Sequence, residues 1–420
     1  MFCEVELPVK HLVDHQPYAG EGPIEEIRAL ARDLAGLRVL HVNSTSYGGG
    51  VAELLYTIVP LMRDAGLDAH WQVIEGAPPQ FFEATKKIHN TLQSGTDALT
   101  PEEWAVYDKI NADMASAFPD GPWDVVVIHD PQPLPVLSLM RQTAQSRRAP
   151  ALVGSKWIWR CHIDISEPLE STWNRLWPYV NEYSCAIVTS AAYARPEITT
   201  AIAEITPSID PTSPKNMAQS SSDARARLAQ FGVDCARPLM LQVSRFDPWK
   251  DPFGVVEAYR RLKPSWPQLQ LAMVGSIALD DPEGIQILSG LQGAAAGDPD
   301  IHLLSNQDGV NAAEVAAFQQ CADVVVQKSL REGFGLTVTE AMWKARPVVA
   351  GRAIGCEMQI TDGEDGFLVS STEECAARAD QILRDPALGA KLGGRARETV
   401  RRRFLSTGHV ASYLRLFARK

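Results

Sequence analysis

Residues 323–343 read Asp-Val-Val-Val-Gln-Lys-Ser-Leu-Arg-Glu-Gly-Phe-Gly-Leu-Thr-Val-Thr-Glu-Ala-Met-Trp. The apolar run 324–326 predicts a short buried parallel strand, Gly333-Phe334-Gly335 a turn, and 336–345, with its Ala, Met, Glu and Trp, a helix. A strand, a glycine turn and a helix start leave unpaired backbone N–H groups at the positive end of the helix dipole. Such amides, here from Gly333 to Leu336, can hold an anionic or polyhydroxyl ligand without side chains. Glu332 precedes the helix and Glu340 lies inside it. A glycine turn alone is a weak motif, and a solvated glutamate pair around an ordinary strand-to-helix turn would show the same spacing.

Working outward, apolar runs at 239–244, 271–275, 301–305, 324–327 and 347–350 predict strands of one sheet with helices between them. Directly after the first of these comes Ser244-Arg-Phe-Asp-Pro-Trp-Lys-Asp-Pro252. A lone Arg or Lys is usually a solvated surface charge. Arg245 and Lys250, five residues apart in a loop stiffened by Pro248, Trp249 and Pro252, are placed to meet a diphosphate.

The first half repeats the alternation. Strands are predicted at 38–43, 69–74, 124–130, 157–162 and 185–190, and helices at 51–64, 81–92 and 102–115. The 51–64 helix carries Leu54, Leu55, Ile58, Leu61 and Met62 at core spacing, with Gly66 just past its end. Alternating strands and helices predict an α/β fold with doubly wound parallel sheets. The pattern breaks at Pro207-Ser-Ile-Asp-Pro-Thr-Ser-Pro214, which puts a domain boundary there. The expected division is 1–209, 210–400 and a C-terminal helical segment 401–420, within an arginine-rich helical tail that begins at 386.

In open parallel sheets the ligand crevice lies beyond the carboxyl ends of the strands. The polar residues at those ends are Asn43 with the loop to Gly48-Gly49-Gly50, His129 and Asp130, Arg160 and His162, Ser244 and Arg245, Gly275, and 327–332. Three glycines before a helix suit close approach to phosphate, and they equally suit a plain flexible loop. His162 is either a satisfied strand-end histidine or a ligand contact, and the same holds for Asp130.

The chain has 420 residues, 45% hydrophobic and 22% charged, enough for two domains with separate cores. A net charge of −11 argues against a nucleic-acid or anionic-membrane partner, while a few local cations can still serve a small anion. Seven scattered cysteines without a Cys-x-x-Cys pair read as reduced thiols in a cytoplasmic protein. No signal-peptide core and no apolar run of membrane-spanning length is present in the sequence.

Two glutamates around Gly333-Phe334-Gly335 resemble the signature of the retaining nucleotide-sugar glycosyltransferases of family 4. Further segments are similar to the trehalose-forming members of that family and cover most of the chain. They include His41-Val-Asn-Ser-Thr-Ser-Tyr-Gly-Gly-Gly50, His129-Asp-Pro-Gln-Pro133, Trp159-Arg-Cys-His-Ile-Asp164, Lys215-Asn216 and Gln242-Val-Ser-Arg-Phe-Asp-Pro-Trp-Lys250. Trehalose phosphorylases share much of the pattern. One departure is 351–360, where relatives are richer in glycine than Gly-Arg-Ala-Ile-Gly-Cys-Glu-Met-Gln-Ile, so contacts near Ala353 and Ile354 are open.

The resemblance implies the GT-B fold, two Rossmann-like domains facing across a cleft. It implies that Glu332 bonds hydroxyls of the donor sugar, that Glu340 bonds the ribose, and that the amides of Gly333, Phe334, Gly335 and Leu336 meet sugar and diphosphate. Arg245 and Lys250 would stabilise the leaving group, His162 would lie beside the reacting sugar and Asp130 on the acceptor. The implied reaction moves glucose from a nucleoside diphosphate glucose to free glucose, with no metal or other cofactor required. Partners would be small sugars and the nucleotide sugar, with no nucleic acid and no membrane, and a homodimer is left open. A trehalose phosphorylase, another family 4 sugar transferase, a sugar-nucleotide epimerase and a silent carbohydrate-binding module are the competing readings.

Overall fold

The computed structural model describes residues 1–47, 49–144, 154–276 and 282–419. It divides into two compact units, one formed by Met1–Pro207 with Ser406–Lys420 and the other by Ser208–Leu405.

The first unit is built on seven strands: β1 (Phe2–Glu4), β2 (Arg38–Asn43), β3 (Asp68–Ile74), β4 (Val125–His129), β5 (Lys156–Arg160), β6 (Cys185–Val188) and β7 (Ala201–Glu204). Their order is β1-β3-β2-β4-β5-β6-β7, parallel throughout except for the antiparallel edge pair β1–β3. Chain order reverses between β2 and β4, the switch point at which such sheets open a crevice. Every residue of β4, Val-Val-Val-Ile-His, is buried, as expected of a strand covered on both faces.

Pairing registers put Val39, Val125, Val127 and Ile158 on one face. Residues of the helices Glu21–Arg32, Gly50–Asp64 and Ser406–Ala418 complete the core over it, among them Ile27, Leu55, Ile58, Tyr413, Leu414 and Phe417. The apolar spacing of 54, 55, 58, 61 and 62 is what gives the second of these helices its buried stripe.

The second unit has β8 (Leu239–Val243), β9 (Gln270–Gly275), β10 (Ile301–Ser305), β11 (Val324–Gln327), β12 (Val348–Gly351) and β13 (Phe367–Val369). All pair in parallel in the order β10-β9-β8-β11-β12-β13, the dinucleotide-fold order of three strands one way and three the other. Its switch point falls between β8 and β11. The helices Pro252–Leu262 and Thr372–Arg384 cover one face with Val255, Tyr259, Ala379 and Ile382.

Some elements differ from the sequence reading. Strands β4, β5, β6 and β8 end one or two residues earlier than expected, because Asp130 adopts a left-handed turn and residues 161–162, 189–190 and 244 already belong to loops. The tail from 386 is two helices, Pro386–Arg403 and Ser406–Ala418, interrupted at Phe404 and Leu405. The edge strands β1, β7 and β13 have three or four residues each, too few for a period-2 pattern to show.

Candidate active site

In the second unit, the loop after β8 and the loop after β11 leave neighbouring strands at the switch point. The first loop makes a short turn over Pro248–Lys250 and then places Asp251 at φ 46°, where its carboxylate caps the helix Pro252–Leu262 by accepting from Gly254 N at 3.1 Å. The second runs through Lys328 and Glu332 to Gly335, whose φ of 85° lets the chain turn into the helix Leu336–Trp343.

The two loops are tied together. Leu330 N donates to the carbonyl of Trp249 at 2.8 Å, and Lys328 Nζ pairs with Asp251. Lys250 Nζ donates to Glu332 Oε2 at 2.7 Å, and Ser329 Oγ donates to the same oxygen at 3.2 Å. Both charged side chains are largely covered, 16% and 8% exposed.

The turn is clamped from the β12 side. Gly355 N donates to the carbonyl of Glu332 at 3.1 Å, and a Cβ on Gly355 would come 2.5 Å from that oxygen. Glycine is required there by close approach. Gln359 Nε2 donates to the carbonyls of Phe334, Gly335 and Gly355, and its Oε1 accepts from Thr339 at 2.6 Å. Ala353 and Ile354, the open positions of the sequence reading, cap and begin the short helix Ile354–Glu357.

Not every expected site residue joins this group. Arg245 is 60% exposed and bonds Asp247 Oδ2 at 2.9 Å. Glu340 is fully buried inside the helix Leu336–Trp343, with Lys215 Nζ 2.6 Å from its Oε1 and Gln319 Nε2 3.3 Å from its Oε2. Lys344 reaches the same group through Gln319 Oε1 at 2.9 Å, and burial pushes its pKa down to about 8 against the pull of Glu340. Phe334 packs edge-on against Phe404.

In the first unit the site residues cluster at the ends of β2, β4 and β5. Asp130, at φ 61°, holds its Oδ1 2.8 Å from the backbone N–H of His162. Burial pushes its carboxyl up to about 6, while that N–H and the charge of Arg160 pull the other way. His129 Nδ1 lies 3.0 Å from His162 Nε2, and His129 Nε2 lies 3.0 Å from His41 Nδ1. Burial drives all three imidazoles well below their usual pKa, that of His41 to about 3. The helix Ser406–Ala418 closes the layer, with Tyr413 edge-on to His41 and His409 stacked on Tyr413.

Arg160 is fully buried, and none of its guanidinium nitrogens has a hydrogen-bond partner among the described residues. Of the three glycines, Gly49 is the extended residue before the helix Gly50–Asp64 and Gly50 its first residue, while Gly48 lies outside the described residues. Asn43 is committed to structure, accepting from Trp71 Nε1 at 2.7 Å and donating to the Thr45 carbonyl at 2.8 Å. Sequence reasoning missed His41, His409 and Tyr413 as site neighbours. The one available signal was a polar residue inside an otherwise apolar strand at position 41.

Two Rossmann-type sheets, each with its polar loops at the strand switch point, define a glycosyltransferase of the GT-B class. Residues 226–399 match the family described as glycosyl transferases group 1, and residues 41–195 match the N-terminal domain of trehalose synthase. The chain is 48% identical to a trehalose synthase of Rubrobacter xylanophilus over 98% of its own length and 97% of that protein's. It belongs to the trehalose synthase family. A trehalose phosphorylase of Pleurotus pulmonarius is 27% identical over 97% of this chain and 61% of its own. Among solved structures, trehalose-6-phosphate synthase OtsA shares the fold with a TM-score of 0.73 at 14% identity, covering 91% of this chain and 99% of that one.

Proposed function

We propose that the protein transfers glucose, with retention, from a nucleoside diphosphate glucose to free glucose and so forms trehalose reversibly. The observation that carries this reading is the Lys250–Glu332 pair beside the Gly333-Phe334-Gly335 turn at the β8/β11 switch point. One side of that pair offers a cation for a departing diphosphate, the other a carboxylate for sugar hydroxyls, and the turn supplies amides between them.

Breaking the sugar–phosphate bond builds positive charge at the anomeric carbon and negative charge on the phosphate oxygen. Lys250 and Arg245 would act most strongly where that negative charge is largest, in the transition state. Arg245, exposed and paired with Asp247 Oδ2 at 2.9 Å, would exchange that surface partner for a phosphate. Retention then follows from attack on the same face, with the departing phosphate oxygen taking the acceptor's proton. His162 and Asp130 are the residues proposed to hold the acceptor. The scheme assigns no step to a metal, so activity should survive a chelator.

The test is to incubate the purified protein with trehalose and either a nucleoside diphosphate or inorganic phosphate. A nucleotide sugar as product supports the synthase reading, and glucose 1-phosphate would place the chain with the phosphorylases instead. Trehalose left intact with both would refute it.

A further inference from the structure

His41, His129 and His162 form an unbroken series of ring contacts, Nδ1 of each of the first two facing Nε2 of its neighbour on one side or the other: His41 Nδ1 to His129 Nε2, and His129 Nδ1 to His162 Nε2, both at 3.0 Å. Burial, with the positive charge of Arg160 added at His129 and His162, holds these rings neutral. A neutral imidazole has one N–H and one lone pair, so each contact takes one proton and the series must run in a single direction.

The buried end decides which direction. His41 Nε2 has no hydrogen-bond partner among the described residues. In the same buried layer, the Arg160 guanidinium and the Tyr413 hydroxyl also lack partners. Arg160 brings only donors, and it cannot give up its charge. An N–H on His41 Nε2 would add one more donor to a region already short of acceptors. A lone pair there leaves no buried N–H without an acceptor, which is the less costly arrangement.

We propose that Arg160 and Tyr413 set this sense: His41 Nδ1–H donates to His129, His129 Nδ1–H donates to His162 Nε2, and His162 is left with its Nδ1–H as the outward group. His162, alone of the three, is partly exposed. It therefore meets a ligand as a hydrogen-bond donor to a sugar oxygen and not as a base. His41 and His129 are positioning residues that act through it. The inference deepens the proposed function, because it rests on His162 facing the sugar, and it agrees with a mechanism in which phosphate, not histidine, takes the acceptor's proton.

Nitrogen-resolved NMR of the full chain carrying ¹⁵N-labelled histidine tests the series without any substrate, so its outcome is separate from that of the transfer assay. The expected result at pH 7.5 is the Nδ1–H form at His41, His129 and His162, shifting toward a mixture in Arg160→Met. Nε2–H at His162, or a charged ring, overturns the proposal. Activity supplies the second readout. His129→Asn keeps an amide donor where Nδ1 stood and should retain kcat within about threefold, whereas His129→Phe, which removes the donor, should lose on the order of 100-fold. Equal losses in the two variants would overturn the positioning role.

Discussion

Lys250 Nζ stands 2.7 Å from Glu332 Oε2, so the cation proposed for the diphosphate and the carboxylate proposed for the sugar neutralise one another in the free protein. Donor binding would exchange this ion pair for two ligand contacts. The pair thus keeps two largely covered charges from standing alone while the site is empty.

Lys250→Ala should lower kcat by on the order of 100-fold or more, the scale for losing one electrostatic partner of the transition state. It should also destabilise the second unit, because Glu332 is left covered without its cation. The double variant Lys250→Met, Glu332→Leu should regain much of the stability and none of the activity. A double-mutant cycle with calorimetry and steady-state rates separates the two effects. Near-normal turnover in Lys250→Ala would remove it from the mechanism.

Glu332 and Glu340 are expected to fail in different ways. Glu332→Gln keeps its size and an amide oxygen that can still accept from Lys250, so turnover should fall while the melting temperature moves by only a few degrees. Glu340 is fully buried against Lys215, and its loss would leave that cation without its carboxylate. Removing one partner of such a pair costs about 3–5 kcal/mol, so Glu340→Ala should melt well below Glu332→Ala. Thermal unfolding of both variants is the check, and equal melting temperatures would contradict the assignment of Glu340 to this buried network.

The strand-turn-helix at 323–343 was legible in the sequence because its signals are local: an apolar run, two glycines and good helix formers. So was the Rossmann alternation, since each buried strand is a continuous apolar stretch such as Val125 to Ile128. The polar layer of the first unit was not. His41, His129, Arg160 and His409 come from three strands and the C-terminal helix, and only the strand order and the return of that helix bring them together. The pairing of Glu340 with Lys215 was equally hidden, because Lys215 belongs to a turn-rich stretch whose place against the helix depends on tertiary packing.

That polar layer predicts an acid limit to stability. A histidine whose folded pKa lies below 6.5 takes up a proton on unfolding, so its contribution is complete above pH 6.5 and is lost as pH falls toward the folded value, about 3 for His41 and His409. Asp130 runs the other way: its pKa is raised from 3.8 to about 6, so its contribution is complete below 3.8 and lost as pH rises through 6. His129 and His162 are shifted in the same direction as His41 and His409, so the histidines outweigh the single carboxylate. Each histidine costs about 1.4 kcal/mol per pH unit in the lower part of that window. Urea midpoints should therefore fall between pH 7.5 and 5.5, and His409→Asn should flatten the slope. A midpoint independent of pH would show that the rings are not held neutral.

The last prediction concerns the helix Ser406–Ala418, which belongs to the first unit although it follows the whole of the second in sequence. Val410, Tyr413, Leu414 and Phe417 are buried in the first unit's core, and Arg415 pairs with Glu26 of the helix Glu21–Arg32. Lys156 Nζ, at the start of β5, donates to the carbonyl of Leu416 at 2.9 Å and to that of Arg419, fixing the end of the helix where its carbonyls lack partners. Replacing a buried Leu or Phe by Ala costs about 2–5 kcal/mol, so Leu414→Ala and Phe417→Ala should each destabilise the first unit by that order. Arg415→Ala, which removes only an exposed ion pair, should cost about 1 kcal/mol or less. Because the same helix carries His409 and Tyr413 onto the histidine series, Leu414→Ala should also loosen the hydrogen exchange of the β2 and β4 amides while leaving those of β8 and β11 unchanged. Uniform loosening of both units, or of neither, would count against the helix as a strap on the first unit alone.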